Sequence, residues 1–135
     1  MISLKLCFVA EGVVRDADTN SISAFNILEG IIPAGVPFFL QRLTFFTLWQ
    51  REDRDPPQVN GQFRITIGEQ VLHDAQVRMD FQNVLRTRMV LNMSGLVVPA
   101  PGVLRFEVNL VGGVRAEYMI DVQPPPVAVA VADQN

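Results

Sequence analysis

Two acidic segments, at 16–20 and 51–57, carry residue types that could bind a metal ion. Carboxylate oxygens are ligands that Ca²⁺ takes in proteins, and two loops at one end of a β-sandwich could supply them jointly. Such a site would give the protein a calcium-dependent binding surface. The candidate metal ligands are four aspartates: Asp16, Asp18, Asp53 and Asp55.

The same segments also have the composition of ordinary turns, in which Asp and Asn are common. Ser21 stands where a calcium-binding loop needs a glycine for its sharp turn, and Ile27 stands where it needs a bidentate glutamate. Arg51 and Arg54 would place positive charge beside the second pair of aspartates. A hairpin turn is therefore favoured over a calcium site at 16–20, and we expect no cofactor.

Residue types that catalyse reactions are scarce in this chain. The single histidine, His73, falls on the apolar face of its predicted strand, and Asp74 points to the opposite face, where it cannot orient the imidazole. The single cysteine, Cys7, lies in an apolar run, where a free cysteine behaves as a small hydrophobic residue. No serine has the Gly-x-Ser-x-Gly context of a nucleophile. We therefore expect no enzymatic activity.

Aromatic residues concentrate in the segment 38–50, which contains two phenylalanine doublets and the only tryptophan. A doublet in a strand places one ring on each face, so this segment is typical of a central strand covered on both sides. The alternative is an exposed aromatic patch that contacts a protein, a second copy or a sugar ring. The candidate binding residues are Trp49, Phe46 and Phe39, with Trp49 the strongest of them.

Composition argues against several classes of protein. The chain has 135 residues, 49% of them hydrophobic, which suits one domain with a substantial core. A net charge of −3 argues against nucleic-acid binding through phosphate neutralisation. No apolar run approaches the roughly 20 residues of a membrane span, and the N-terminal apolar stretch is too short for a secretion signal. We expect a cytoplasmic protein.

Short segments of alternating apolar and polar residues predict an all-β fold with no helix for parallel crossovers. Seven to nine such strands favour an antiparallel β-sandwich, and a single sheet closed on itself is the alternative. The clearest predicted strands span residues 4–14, 21–28, 38–50, 62–67, 71–81, 85–93, 104–110 and 114–122.

The segments 71–81 and 85–93 are predicted to form a hairpin, because a three-residue loop between them keeps their apolar faces together. Phe81 would then oppose Leu85, and Asp80 would oppose Arg86 on the other face. The same register opposes two arginines, Arg78 and Arg88, which is unfavourable unless Asp80 lies diagonally between them.

The last two predicted strands flank the pair Gly112-Gly113. Two registers keep their apolar faces together. One opposes Glu107 to Glu117, and the other opposes Arg105 to Asp121. Because opposite charges across a strand pair are favourable and like charges are not, the second register is predicted.

The C-terminal segment 124–135 differs from the predicted domain, 1–123, in composition. Three prolines at 124–126 favour an extended chain, and Val and Ala then alternate over 127–132. One interpretation is a frayed terminus. The other is an extra strand that pairs with a sheet edge of this molecule or of a neighbour, which would allow self-association or the binding of a protein partner.

Several short strings in the predicted strands resemble a known family. They are CFVAE at 7–11, DTN at 18–20 with ISAFNI at 22–27, Pro37 before the long strand, and PGVLRFEV at 101–108. Over about residues 4–122 the chain resembles a family of small bacterial proteins of unknown function. The resemblance implies an immunoglobulin-like β-sandwich and no assigned activity.

The sequence as a whole predicts a non-catalytic interaction module that binds a protein partner or self-associates. The alternative function is a ligand-binding sandwich for carbohydrate or for calcium-dependent surface binding.

Overall fold

The computed structural model describes residues 1–126, which form nine strands and no helix. The all-β prediction is therefore confirmed for the described chain. No helix in this range is available to cross a bilayer. The strands are β1 (Ser3–Arg15), β2 (Ile22–Ile27), β3 (Gly30–Ile31), β4 (Phe38–Gln50), β5 (Gln58–Ile67), β6 (Gln70–Asp80), β7 (Arg86–Val98), β8 (Gly102–Leu110) and β9 (Arg115–Val122).

The strands form two sheets that share one apolar core. The four-stranded sheet has the order β2-β1-β4-β7, and the five-stranded sheet has the order β3-β9-β8-β5-β6. Neighbours are antiparallel except β3, which runs parallel to β9 over two residues. The core cluster draws its buried side chains from both sheets, so each sheet turns one face inward.

Strand β4 is central to the four-stranded sheet, and at its second doublet, Phe45 and Phe46, it is covered on both faces, as that doublet predicts. Phe45 faces the five-stranded sheet, where its ring lies 5.9 Å from the rings of Phe63 and Phe106. Phe46 faces outward and stacks on Phe8 of β1, with ring centroids 5.0 Å apart. Both doublet rings are buried, because the outer face of β4 has its own cover.

The β1–β2 hairpin provides that cover. Beyond Ala10, strand β1 no longer pairs with β4, and its second half pairs with β2 instead. Side chains of this hairpin, Ile22 and Ala24 among them, pack on a second buried cluster that contains Phe8 and Phe46. The hairpin therefore lies over the outer face of its own sheet and turns that face into a second small core.

The turn of this hairpin is fastened to strand β7. The guanidinium of Arg88 donates a 2.7 Å hydrogen bond to the backbone carbonyl of Asn20, which has a positive φ of 60°. Hydrogen bonds to charged groups are stronger than those between neutral groups. This contact therefore joins the tip of the hairpin to the far edge of the sheet that it covers.

The predicted hairpin of segments 71–81 and 85–93 is wrong. Strand β6 pairs with β5 in one sheet, and β7 pairs with β4 in the other. Their connection crosses between sheets, and Phe81, which was expected to oppose Leu85, is fully buried instead. The apolar faces of β6 and β7 match each other, which allowed the predicted hairpin. The same face of β6 also matches β5, and that of β7 matches β4, and these two pairings are longer.

The preferred register of the last hairpin is also wrong. Glu107 opposes Glu117, and Arg105 opposes Met119 rather than Asp121. Arg115 offsets the like charges, because its two terminal nitrogens lie 3.8 Å from a carboxylate oxygen of Glu107 and 3.1 Å from one of Glu117. Arg115, which lies diagonally across the strand pair, therefore stabilises a register in which two glutamates stand directly opposite each other.

Replacing Arg88 with alanine should loosen the hairpin cover. We expect Arg88→Ala to lower the free energy of unfolding by about 1–2 kcal/mol, because it removes a charge-assisted hydrogen bond to the turn. Urea unfolding followed by circular dichroism measures the loss, and hydrogen exchange should rise in residues 13–24. The matched control is Arg86→Ala, whose side chain contacts Gln50 and not the turn. An equal rise in hairpin exchange in both variants would contradict this role.

Candidate functional site: an open seam between two strand edges

The structure separates the three aromatic residues that the sequence singles out. Trp49 is 0% exposed and Phe46 is 1% exposed, so neither presents its ring at the surface. The indole nitrogen of Trp49 donates a 2.7 Å hydrogen bond to the Thr47 hydroxyl, which in turn donates to the carbonyl of Met89. Trp49 faces the core because it shares the inward face of β4 with Phe45.

Phe39 alone of these three is exposed, with 58% of its surface accessible. Its ring lies over Gly95 of β7, 3.1 Å from where a β-carbon would stand on that glycine. Phe39 also lines an open groove of about 720 Å³ with Phe25 of the hairpin, which the sequence analysis did not single out. Glu11 and Arg42 border the same groove, so it carries charges of both signs.

The first acidic segment uses its leading aspartate to build a turn. Asp16 accepts hydrogen bonds from the backbone nitrogens of Asp18 at 2.8 Å and Thr19 at 3.0 Å. These two donors hold the pKa of the Asp16 carboxyl below its ordinary value, the Thr19 bond being the larger cause. The turn interpretation of this segment therefore agrees with the structure.

The second acidic segment is tied to the start of the chain. Asp55 accepts a hydrogen bond from the backbone nitrogen of Glu52. The amino group of Met1 lies 2.9 Å from a carboxylate oxygen of Glu52 and 2.9 Å from one of Asp55. Asp53 is exposed in the same loop. Within residues 1–126 no three His, Cys, Asp or Glu side chains are grouped so that they could hold a metal ion.

The histidine and the cysteine lie apart on different sheets. His73 is on β6 opposite Ile65 of β5, and its ring lies 5.6 Å from that of Phe63. The Cys7 thiol points to the backbone oxygen of Glu117 at 3.5 Å, and burial raises its pKa. A raised pKa keeps the thiol protonated, which makes it a weak nucleophile.

Two long strand edges face each other on one side of the molecule. Strand β6, with 11 residues, ends the five-stranded sheet, and β7, with 13 residues, ends the four-stranded sheet. Within the described chain neither outer edge pairs with another strand. On the opposite side the sheets end in β2 and β3, which have six and two residues.

Between these two edges lies an open channel of about 680 Å³, which we call the seam. Its floor is the edge of the core, where the inward faces of β6 and β7 are left partly uncovered beside the buried side chains of β5. His73, Gln76 and Asn92 are its main polar side chains. The apolar residues that line it include Phe63, Ile65, Leu72, Ala75, Val77, Leu91 and Met93.

The seam is closed at one end by the connection from β6 to β7. Phe81 of this connection is fully buried, and its backbone nitrogen donates a 2.7 Å hydrogen bond to the carbonyl of Pro57. The guanidinium of Arg51 lies 5.8 Å from the centre of the Phe81 ring and donates to the carbonyl of Val84. The connection is thus anchored to the ends of both sheets.

A protein-family model matches residues 5–123, which run from β1 past the end of β9. The chain belongs to DUF6941, a family of unknown function. The expected resemblance to a family of unknown function is confirmed to that extent. Searches of the curated proteins and of the solved structures found no match. Both edges of the seam lie inside the DUF6941 unit, whereas the segment 124–135 lies beyond it.

Sequence reasoning missed the seam of this DUF6941 chain because the predicted hairpin hid it. That hairpin pairs β6 with β7 and so joins the two edges that are in fact apart. One signal pointed the other way, since the predicted register placed Arg78 opposite Arg88. In the structure Arg78 lies opposite Asn60 of β5, and Arg88 reaches the hairpin turn.

Two aromatic residues of β4 should respond very differently to truncation in this DUF6941 chain. We expect Trp49→Ala to lower the free energy of unfolding by about 3–5 kcal/mol, because it empties a large core position. Phe39→Ala, on the same strand but exposed, should cost under about 1 kcal/mol. Urea unfolding monitored by circular dichroism compares them. Similar losses in both variants would show that Trp49 is not a core residue.

The Asp16 turn should make stability depend on pH. Its two backbone donors stabilise the ionised carboxylate, so their contribution is complete above the ordinary pKa of 3.8 and is lost as pH falls through the lower folded value. Asp16→Asn keeps an acceptor oxygen but has no charge. We expect the melting temperature of the native chain to exceed that of Asp16→Asn at neutral pH. The gap should shrink from about pH 5 to about pH 2. A gap that stays constant with pH would contradict the assignment.

Proposed function

We propose that this chain is a non-catalytic interaction module that binds an extended apolar segment of protein as an added strand in the seam. The observation that carries the proposal is the pair of long strand edges that face each other across an apolar channel. A segment placed there would gain main-chain hydrogen bonds from an edge and apolar contacts from the channel floor.

The contrast between the two sides of the molecule supports this use of the seam. Proteins avoid unwanted strand pairing with short edges, prolines, lysines or covering loops. The β2 and β3 side follows that rule, because its edge strands are short. Strand β6 runs for 11 residues without Pro, Gly or Lys. Its pairing with β5 has one irregularity, between Ile65 and Thr66, and the remaining length of this edge is suited to strand pairing.

The lining of the seam defines the chemistry of the segment. Inward-facing residues such as Ala75, Val77 and Leu91 offer an apolar floor, and Gln76 and Asn92 offer neutral hydrogen-bonding groups at its margin. No Asp, Glu, Lys or Arg is among the lining residues of the seam. Burying a charge there would carry a desolvation cost with no opposite charge to offset it. We therefore infer a preference for uncharged segments whose apolar residues alternate.

The non-catalytic part of the proposal draws support from the two residues best suited to catalysis. The Cys7 thiol contacts a backbone oxygen, and burial raises the pKa of this thiol. His73 lies on the other sheet from Cys7, where it packs beside Phe63. We also propose that the two sheets form an immunoglobulin-like β-sandwich and that the protein acts in the bacterial cytoplasm. Support for the sandwich is the facing pair of antiparallel sheets, and support for the location is the composition of the sequence.

The proposal can be tested with a displayed library of random peptides selected on the purified chain. The bait should carry Val129→Asp and Val131→Asp, so that its own apolar C-terminal segment does not compete. We expect enriched peptides to be uncharged, with apolar residues at every second position. Ala75→Arg, which places a charged side chain in the seam, should weaken their binding at least tenfold in fluorescence polarisation.

The matched control is Val111→Arg, which adds the same side chain at an exposed apolar position of the β8–β9 turn. This control should bind the peptides as tightly as the bait that has alanine at position 75 and valine at position 111. Peptides that bind Ala75→Arg and the bait equally well would have their binding site outside the seam. A selection that enriches no alternating sequence would contradict the peptide chemistry that the seam predicts. Either result would remove the seam as the binding surface.

A further inference from the structure

We propose that the segment that occupies the seam is residues 127–132 of a second copy of this chain. Two copies would exchange these segments, each filling the seam of the other. The inference rests on the proposed function, because it names the occupant of the same site. It goes beyond that function by assigning a role in self-assembly to a segment outside the described residues.

The chemistry of this segment matches the seam. Residues 127–132 alternate Val and Ala without a charge, so one face of an added strand would present three valines and the other three alanines. Valine is a favoured strand residue, and the channel floor needs apolar side chains to cover it. Six apolar residues left in water would otherwise be a site for aggregation.

The path of the chain decides between its own seam and that of a second copy. Strand β9 is separated from β6 by β8 and β5, which is three strand spacings or about 14 Å. Gln123 is still held to β3, since its nitrogen donates to the carbonyl of Ile31. Only the prolines 124–126 remain before the alternating segment, and three extended prolines span about 9 Å.

The three prolines therefore fall short of the seam of the same molecule, and they resist turning back towards it. A stiff extended linker that leaves the end of β9 is instead suited to carry the segment to a neighbour. Mutual exchange between two copies fills both seams. Such a two-fold arrangement closes on itself, whereas one-way donation would continue into a chain of molecules.

The first experiment measures the mass of the full chain in solution by light scattering. We expect the native chain and the control Val111→Arg to have twice the mass of one chain. Two kinds of variant should have the mass of one chain. The tail variant carries Val129→Asp and Val131→Asp, and the seam variant carries Ala75→Arg. His73→Glu is a second seam variant, at an exposed position where the fold tolerates a charge, and it should also reduce the mass.

The second experiment mixes the tail variant with the seam variant. Each keeps what the other lacks, since the tail variant has an intact seam and the seam variant has an intact C-terminal segment. We expect the mixture to form a pair of chains with one filled seam, detected by different affinity tags on the two variants. Neither variant alone should associate.

Three results would overturn the exchange. A native chain with the mass of one copy would do so, as would a tail variant that keeps the native mass or a mixture that forms no pair. The peptide selection is read separately from these masses. If alternating peptides bind the seam but the native chain and the tail variant have the same mass, the proposed function stands and only the identity of the occupant is wrong.

Discussion

The structure depends on a constraint set by two adjacent residues in the middle of β4. Phe45 and Phe46 point to opposite faces of the same strand, and both are buried. A sheet that contains such a pair cannot leave either face to water without exposing a large ring. The inner face is covered by the second sheet, through Phe63 and Phe106. The outer face would be bare, so the chain supplies a cover from its own first hairpin. Strand β1 therefore has two tasks, pairing with β4 in its first half and carrying the cover in its second.

That solution makes the two sides of the molecule different. On the side of the cover the two sheets end in β2, which is part of the cover, and in β3, and both strands are short. The far side receives β6 and β7, which belong to different sheets and are joined along the chain by a short connection. Covering one face of β4 and leaving one side open are linked, because a chain of this length has no further strand within residues 1–126 to close the seam. The apolar groups that remain exposed are thus gathered at one place, and a ligand can contact them together.

The sequence predicted the strands well and their partners less well. Alternation placed the bounds of β4 at Phe38 and Gln50, as the structure has them. It identified the core face of β5 and β8, because a strand has a period of two, but it missed the change of face that β4 makes between Leu40 and Leu43. It could not choose among several strands with matching faces, and so it joined β6 to β7. Charge pairing also misled where a third side chain intervened, as Arg115 does between Glu107 and Glu117. Trp49 had the right residue type for a binding surface, but its face decided its burial. The seam arises between two sheets, which no local pattern describes.

The connection that follows β6 also gives the molecule an uneven mechanical stiffness. Phe81 contacts Arg51 and Pro57, which stand at the two ends of the β4–β5 connection between the sheets, so the two layers are clamped at that end. At the opposite end, β7 leaves towards β8 through Pro99 and Pro101, and no comparable buried ring spans the layers among the described residues. Parting the layers at the clamped end would pull an aromatic ring into water, whereas parting them at the other end would not. Separation of the two layers should therefore cost more free energy at the Phe81 end than at the end where β6 begins.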